Sequence, residues 1–155
     1  MNSKTPFLVK EAHESPGFLL WQVTMLWQRR IAAALRPHQL TQVQFALLAS
    51  LLWLSRTQSA ITQAMLARHA KLDIMMTSQV LRALEKRGLV AREAHPSDTR
   101  AKVLALTKRG RSLTWKTVPI VEQADRAFFG ALGSRLGNFN GSLRSLIESP
   151  AEETS

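Results

Sequence analysis

Ser78, Gln79 and Arg82 stand close together in the stretch IMMTSQVLRALEK, and all three are side chains that hydrogen-bond the edges of nucleic-acid bases. In the major groove of a duplex, glutamine makes two bonds to adenine and arginine two bonds to guanine. That chemistry requires the three on one face. Thr77, Val80, Leu81 and Leu84 recur at i, i+3, i+4 and i+7, the spacing of an inward helical stripe, which turns Met75, Met76, Ser78, Gln79, Arg82 and Lys86 outward. Taken alone, the same face also suits an ordinary solvated helix.

A second group lies in EAHPSDTRAKVLALT, residues 93–107, where Asp98 and Arg100 sit in a polar bend that contains a proline. The runs LVAREA and AKVLAL on either side have strand length and partial alternation, which predicts a hairpin around His95–Arg100. An arginine at such a tip suits a narrow A·T-rich minor groove, where negative potential concentrates. Asp98 and Arg100 also fit a plain surface ion pair that shapes the turn, worth about 0–1 kcal/mol. A pair that shapes the turn also aims the guanidinium. Arg92 and Lys102 would flank this tip with charges suited to phosphates. Thr62 and Gln63 open a short helix whose free N–H groups suit a phosphate, or Thr62 is simply its cap.

The charge distribution agrees with a polyanionic partner. The chain of 155 residues carries a net charge of +10, and residues 61–112 hold eleven Lys and Arg against four Asp and Glu. Residues 113–155 are slightly acidic. Such concentration of charge favours nucleic acid as the partner.

Other chemistries find little support. The absence of cysteine excludes disulfides, thiolate metal sites and a cysteine nucleophile. His13, His38, His69 and His95 lack metal-ligand spacing, no Gly-x-Ser-x-Gly occurs, and GALGSRLG at 130–137 follows no strand. The expectation is a non-enzyme with no cofactor and no metal. The N-terminal stretch does not read as a signal peptide, and the apolar runs Phe18–Trp27 and Phe45–Leu54 are far shorter than the ~18 residues of a membrane span. A cytoplasmic protein without membrane association is expected.

These residues need a scaffold. Residues 1–16 lack periodicity and read as a loose arm or short partial helix. A first helix is expected from Phe18 to Pro37, a second after Thr41, a short third after Thr62, and a fourth from Asp73 to Gly88. A long helix from Lys108 to about Phe129 follows, with Pro119 as a possible kink. Gly130–Gly133 breaks it, Ser134 is placed to cap a last helix, and 149–155 reads as a disordered tail. The fold class is mainly α with a small β-hairpin wing. The flanking helices carry Phe18, Leu19, Val118, Ile120, Val121, Phe128, Phe129, Leu132, Leu143, Leu146 and Ile147, more apolar surface than so short a chain buries alone.

A helix-turn-helix followed directly by a basic hairpin has the order of a winged helix. LARHAKLDIMMTSQVLRALEKRGLVAREAHPSDTRAKVLALTKRGRSL, with LEKRGLV closing the fourth helix, DTRAKVLALTKRG across the wing and LTQVQFALLASL in helix two, resembles the MarR family of bacterial transcription regulators. The likeness is strongest from Leu40 to Leu113. It implies a single domain over 1–155, with a DNA-binding lobe at 40–107 between dimerisation helices at 18–36 and 108–148. It further implies a homodimer on a pseudo-palindromic operator, acting as a repressor, with Arg100 in the minor groove and Asp98 orienting it. The DNA-binding residues are then Thr62, Gln63, Met76, Ser78, Gln79, Arg82, Lys86, Asp98, Arg100 and Lys102. Family members commonly respond to small aromatic or phenolic acids, and Trp21, Met25, Trp27, His38 and Phe45 lie where such a pocket could form, or are simply core. An effector-independent DNA-binding or architectural protein of the same fold stays open. The chain departs from the family in having Ile74-Met75-Met76 where small polar residues are usual; Met75 and Met76 suit either a thymine methyl or a gap in the core.

Overall fold

Most of the helices begin where a hydroxyl or carboxylate takes up a free backbone N–H. In the computed structural model, which describes residues 6–98 and 102–149, Thr41 opens α2 (Gln42–Leu54) through a reciprocal pair of bonds with Gln44. Thr62 opens α3 (Gln63–Ala70), Asp73 opens α4 (Ile74–Lys86), and Thr107 opens α5 (Lys108–Phe129). Each cap was legible in the sequence. Ser15 caps α1 (Pro16–Leu35), so this helix starts two residues before the expected Phe18. Pro16 stands at its first position, where no N–H is missed.

One expectation about the C-terminal helices is corrected. α5 runs as one helix with Pro119 inside it, as expected in extent, but α6 (Leu136–Glu148) has no side-chain cap from Ser134. The chain runs into α6 through a 3₁₀ stretch, Gly130–Arg135, with the break taken by Gly133 at φ 53° and ψ −129°. Arg135 precedes α6 in a helical conformation, whereas a capping side chain acts from an extended residue. Of the tail expected at 149–155, residues 150–155 lie outside the described residues.

The core gathers around α2. Leu47, Leu48 and Leu51 are fully buried against Ile31 and Leu35 of α1, Leu66 of α3, Leu81 and Leu84 of α4, and Val121 of α5. α1 and α5 are joined at their flanks by a bond from Trp27 Nε1 to Asp125 Oδ1 of 2.7 Å and by Arg30 over the ring of Phe128. Among the described residues no buried side-chain polar atom lacks a hydrogen-bond partner. Buried Thr114 and Thr117 satisfy their hydroxyls on helix carbonyls one turn back.

Strands β1 (Val90–Ala94) and β2 (Lys102–Leu106) pair antiparallel, from Val90 opposite Leu106 to Ala94 opposite Lys102. Their base is fixed to the helices, since Leu104 N–H donates to the carbonyl of Ile61 at 2.7 Å. The resulting order of helices and hairpin is that of a winged helix-turn-helix.

Much apolar surface stays uncovered within one chain. α6 buries no residue, and on α1 Phe18, Leu20 and Trp21 are exposed. Val121, counted above with the flanking apolar surface, belongs instead to the core. Among the described residues no helix is long and apolar enough to cross a membrane.

Candidate nucleic-acid interface

α4 is fixed at both ends by backbone chemistry. At its start Asp73 Oδ1 accepts from the N–H groups of Met75 and Met76 at 2.8 and 3.0 Å. At its end Leu89 N–H donates to Leu84 O and Gly88 N–H to Glu85 O, a closure that requires a left-handed residue; Gly88, at φ 68°, supplies it. The three-residue turn before it, Lys71–Asp73, closes α3 in the same way, with Lys71 at φ 53° and Leu72 against the core.

Between these ends the faces segregate as the spacing predicts. Thr77, Leu81 and Leu84 are buried and Val80 is half-buried, while Met75, Met76, Gln79, Arg82 and Lys86 are exposed and Ser78 is half-buried. The fill-the-core reading of Met75 and Met76 is excluded by their exposure of 68% and 45%.

The supporting residues take up more specific roles. Thr62 Oγ accepts from Met65 N–H at 3.3 Å, the capping reading of that residue. Gln63 Nε2 reaches across the turn to the carbonyl of Ile74 at 3.4 Å, linking the starts of α3 and α4. Arg92 pairs with Glu85 of α4, so its charge is engaged at the root of the wing rather than free beside it. Lys102 is exposed at the outer end of the hairpin and Asp98 is exposed in the turn. Arg100 lies outside the described residues. In the turn, His95 Nδ1 accepts from Ser97 N–H at 3.2 Å, a local brace that sequence reasoning did not assign.

Arg87 was also missed. Its Nη1 donates to the carbonyl of Gln39 at 2.8 Å and to Gln44 Oε1 at 3.2 Å, while its own carbonyl accepts from Arg109 Nη1 at 3.2 Å. The end of α4 is thereby tied to the α1–α2 corner and to the start of α5. Nothing local marks this role, because the partners are 48, 43 and 22 residues away in sequence.

A cavity of about 790 Å³ opens between α2 and α5, with His69 of α3 at its edge. Phe45, Trp53 and Trp115 supply aromatic wall, and Arg56 and Arg111 supply cations. Arg56 stands over the Trp53 ring, 4.6 Å from its centre, which holds the guanidinium beside the aromatic surface. Glu122 and Asp125 line the same space farther along α5. Of the five residues expected at an effector site, Phe45 lines this cavity. Met25 faces a separate shallow recess with Gln28 and Arg29, Trp21 is 61% exposed, and His38 sits in the 3₁₀ turn after α1. Trp21, Met25, His38 and Phe45 are not brought together. Trp27, also weighed for the site, packs on the core and bonds Asp125 at the cavity wall.

Comparison with known proteins places this geometry among regulators. The family model described as the MarR family matches residues 40–102. The chain is 42% identical over 134 residues to the uncharacterised HTH-type transcriptional regulator YdcH of Bacillus subtilis, covering 86% of this chain and 90% of that one. It superposes on Bordetella bronchiseptica BpsR, described for the regulation of its DNA binding by 6-hydroxynicotinic acid, with TM-score 0.81, 25% identity, and 94% and 99% of the two chains covered. The Mycobacterium tuberculosis MarR family protein Rv2887, solved in complex with salicylic acid, is 34% identical in the matched region, with TM-score 0.64 and coverage of 85% and 96%.

Proposed function

The chain belongs to the MarR family of DNA-binding transcription regulators, and from that membership we propose that it works as a homodimeric repressor of a pseudo-palindromic operator, released by a small aromatic acid. The observation that carries the DNA reading is the exposed stripe of Gln79, Arg82 and Lys86 on a helix whose opposite face is buried. A two-fold dimer presents two such helices to half-sites about 34–36 Å apart. Lys102 and the backbone N–H groups at the start of α3, at Thr62 and Gln63, are assigned to phosphates, and Ser78, Gln79 and Arg82 to base edges. Arg100, with Asp98 two residues before it, is assigned to the minor groove on residue type and on its position in the sequence between Ala94 and Lys102.

Selection of duplexes from a random-sequence pool by the purified protein tests this reading. One palindromic site should be enriched, and its affinity should fall with log salt by about 0.9 per phosphate neutralised. Arg82→Ala should relax base preference at one position per half-site by about 1–3 kcal/mol. Uniform weakening on every sequence would make Arg82 a phosphate contact instead.

The effector reading rests on the cavity between α2 and α5, where aromatic rings and guanidinium groups meet. Such walls suit a planar carboxylate, stacked on Trp115 or Trp53 and paired with Arg111 or Arg56. At about one hundred times its dissociation constant, such a ligand adds roughly 2.7 kcal/mol of stability. Salicylate or 6-hydroxynicotinate should therefore raise the melting temperature by about 5–10 °C and release the operator, and Trp115→Ala should abolish both effects. If no aromatic acid in a panel does either, the chain is the effector-independent DNA-binding protein of the same fold.

A further inference from the structure

On the outer face of α4, Ile74, Met75 and Met76 are 50%, 68% and 45% exposed, an apolar patch on a helix whose remaining outward residues are polar or cationic. The patch continues the reading stripe: Met75, Gln79, Arg82 and Lys86 fall at i, i+4, i+7 and i+11. Arg68 and Lys71, at the end of α3 before the turn into α4, are exposed cations suited to a polyanion. The immediate partner of the patch is nevertheless not a phosphate. The N–H groups of Met75 and Met76, which would otherwise grip one, are taken by Asp73, and its carboxylate repels a second anion.

We propose that Met75 and Met76 read the 5-methyl groups of thymine on the floor of the major groove. The thymine methyl is the apolar group that base pairs present there. The unbranched thioether side chain adapts to a methyl surface with little strain. Met75 precedes Gln79 by about one helical turn, roughly 5–6 Å, so the thymines recognised lie within about two base pairs of the base that Gln79 reads. This inference rests on the regulator reading above and adds to it the identity of one element of the operator.

The test uses the full chain and the duplex it selects from a random pool, with each thymine replaced in turn by deoxyuridine, which lacks only the methyl group. Wild-type affinity should fall about fourfold at one or two thymines per half-site, the factor carried by burial of one methyl-sized group. The double variant Met75→Ser, Met76→Ser should bind thymine and uracil duplexes equally, while its melting temperature and salt dependence stay as in wild type. Indifference of the wild type to every uracil substitution overturns the proposal. So does a uracil effect of equal size in the variant, which would belong to the shape of the DNA. Failure to enrich any sequence is a separate outcome, which overturns the regulator reading and this inference with it.

Discussion

Replacing Gly110 with alanine lowers the melting temperature by about 10 °C, roughly 3–4 kcal/mol of lost stability in a chain of this length. Gly110 lies in the first turn of α5, against the junction of α4 and β1. A Cβ added there would sit 1.9 Å from the carbonyl oxygen of Leu89 and 2.8 Å from its carbonyl carbon. Both are backbone atoms, so no side chain can swing aside. To bring the oxygen beyond 3.0 Å the two segments must separate by more than 1 Å. The surrounding bonds oppose that movement. Thr107 N–H donates to the same Leu89 oxygen, Thr107 Oγ1 donates to Gly88 O at 2.7 Å, and Gly110 N–H donates to Thr107 Oγ1 at 3.0 Å. The Leu89 side chain is itself buried in the core. Thermal unfolding followed by circular dichroism measures the effect. A variant that melts within about 2 °C of wild type would show that this junction yields at negligible cost.

The double change Leu143→Glu, Ile147→Glu should convert the proposed homodimer to a monomer and weaken binding to the selected operator at least a hundredfold. α6 carries Leu136, Phe139, Leu143, Leu146 and Ile147 at helical spacing, yet buries none of them within its own chain. A helix with such a stripe is stable only against a partner. Each aliphatic side chain covered by a second copy contributes about 1.5–3 kcal/mol, and a carboxylate forced into that contact reverses the sign. Loss of the dimer then removes the gain of about 10²–10⁴ that comes from two linked half-site contacts. Light scattering after gel filtration gives the mass, and titration of the selected operator gives the affinity. A variant that remains dimeric would exclude α6 from the interface.

What could be read from sequence divides by the range of the interactions involved. Thr41, Thr62, Asp73 and Thr107 were recognisable as caps because a cap and its N–H partner lie within three residues. The inward stripe of Thr77, Leu81 and Leu84 was legible because one helical period specifies it. The same local reasoning misjudged Ser134, because the preceding 3₁₀ stretch delivers the chain already helical to Arg135. It placed Arg92 beside a phosphate, since its partner Glu85 becomes a neighbour only when β1 folds back beside α4. The cavity was least accessible of all. Phe45, His69 and Trp115 belong to three helices, and nothing in their spacing announces a common wall.

The bonds around Arg87 anchor the C-terminal end of α4. Its heel is bolted to the α1–α2 corner and to the first turn of α5, while its toe carries Met75. With a length of about 20 Å, a swing of about 5° around the heel would carry the toe nearly 2 Å. Hydrogen bonds to base edges tolerate only a few tenths of an ångström of such travel. The helix is instead a pointer held at both ends, at the heel through Arg87 and at the toe through Gln63 and buried Thr77, and its aim is inherited from the elements to which it is bolted.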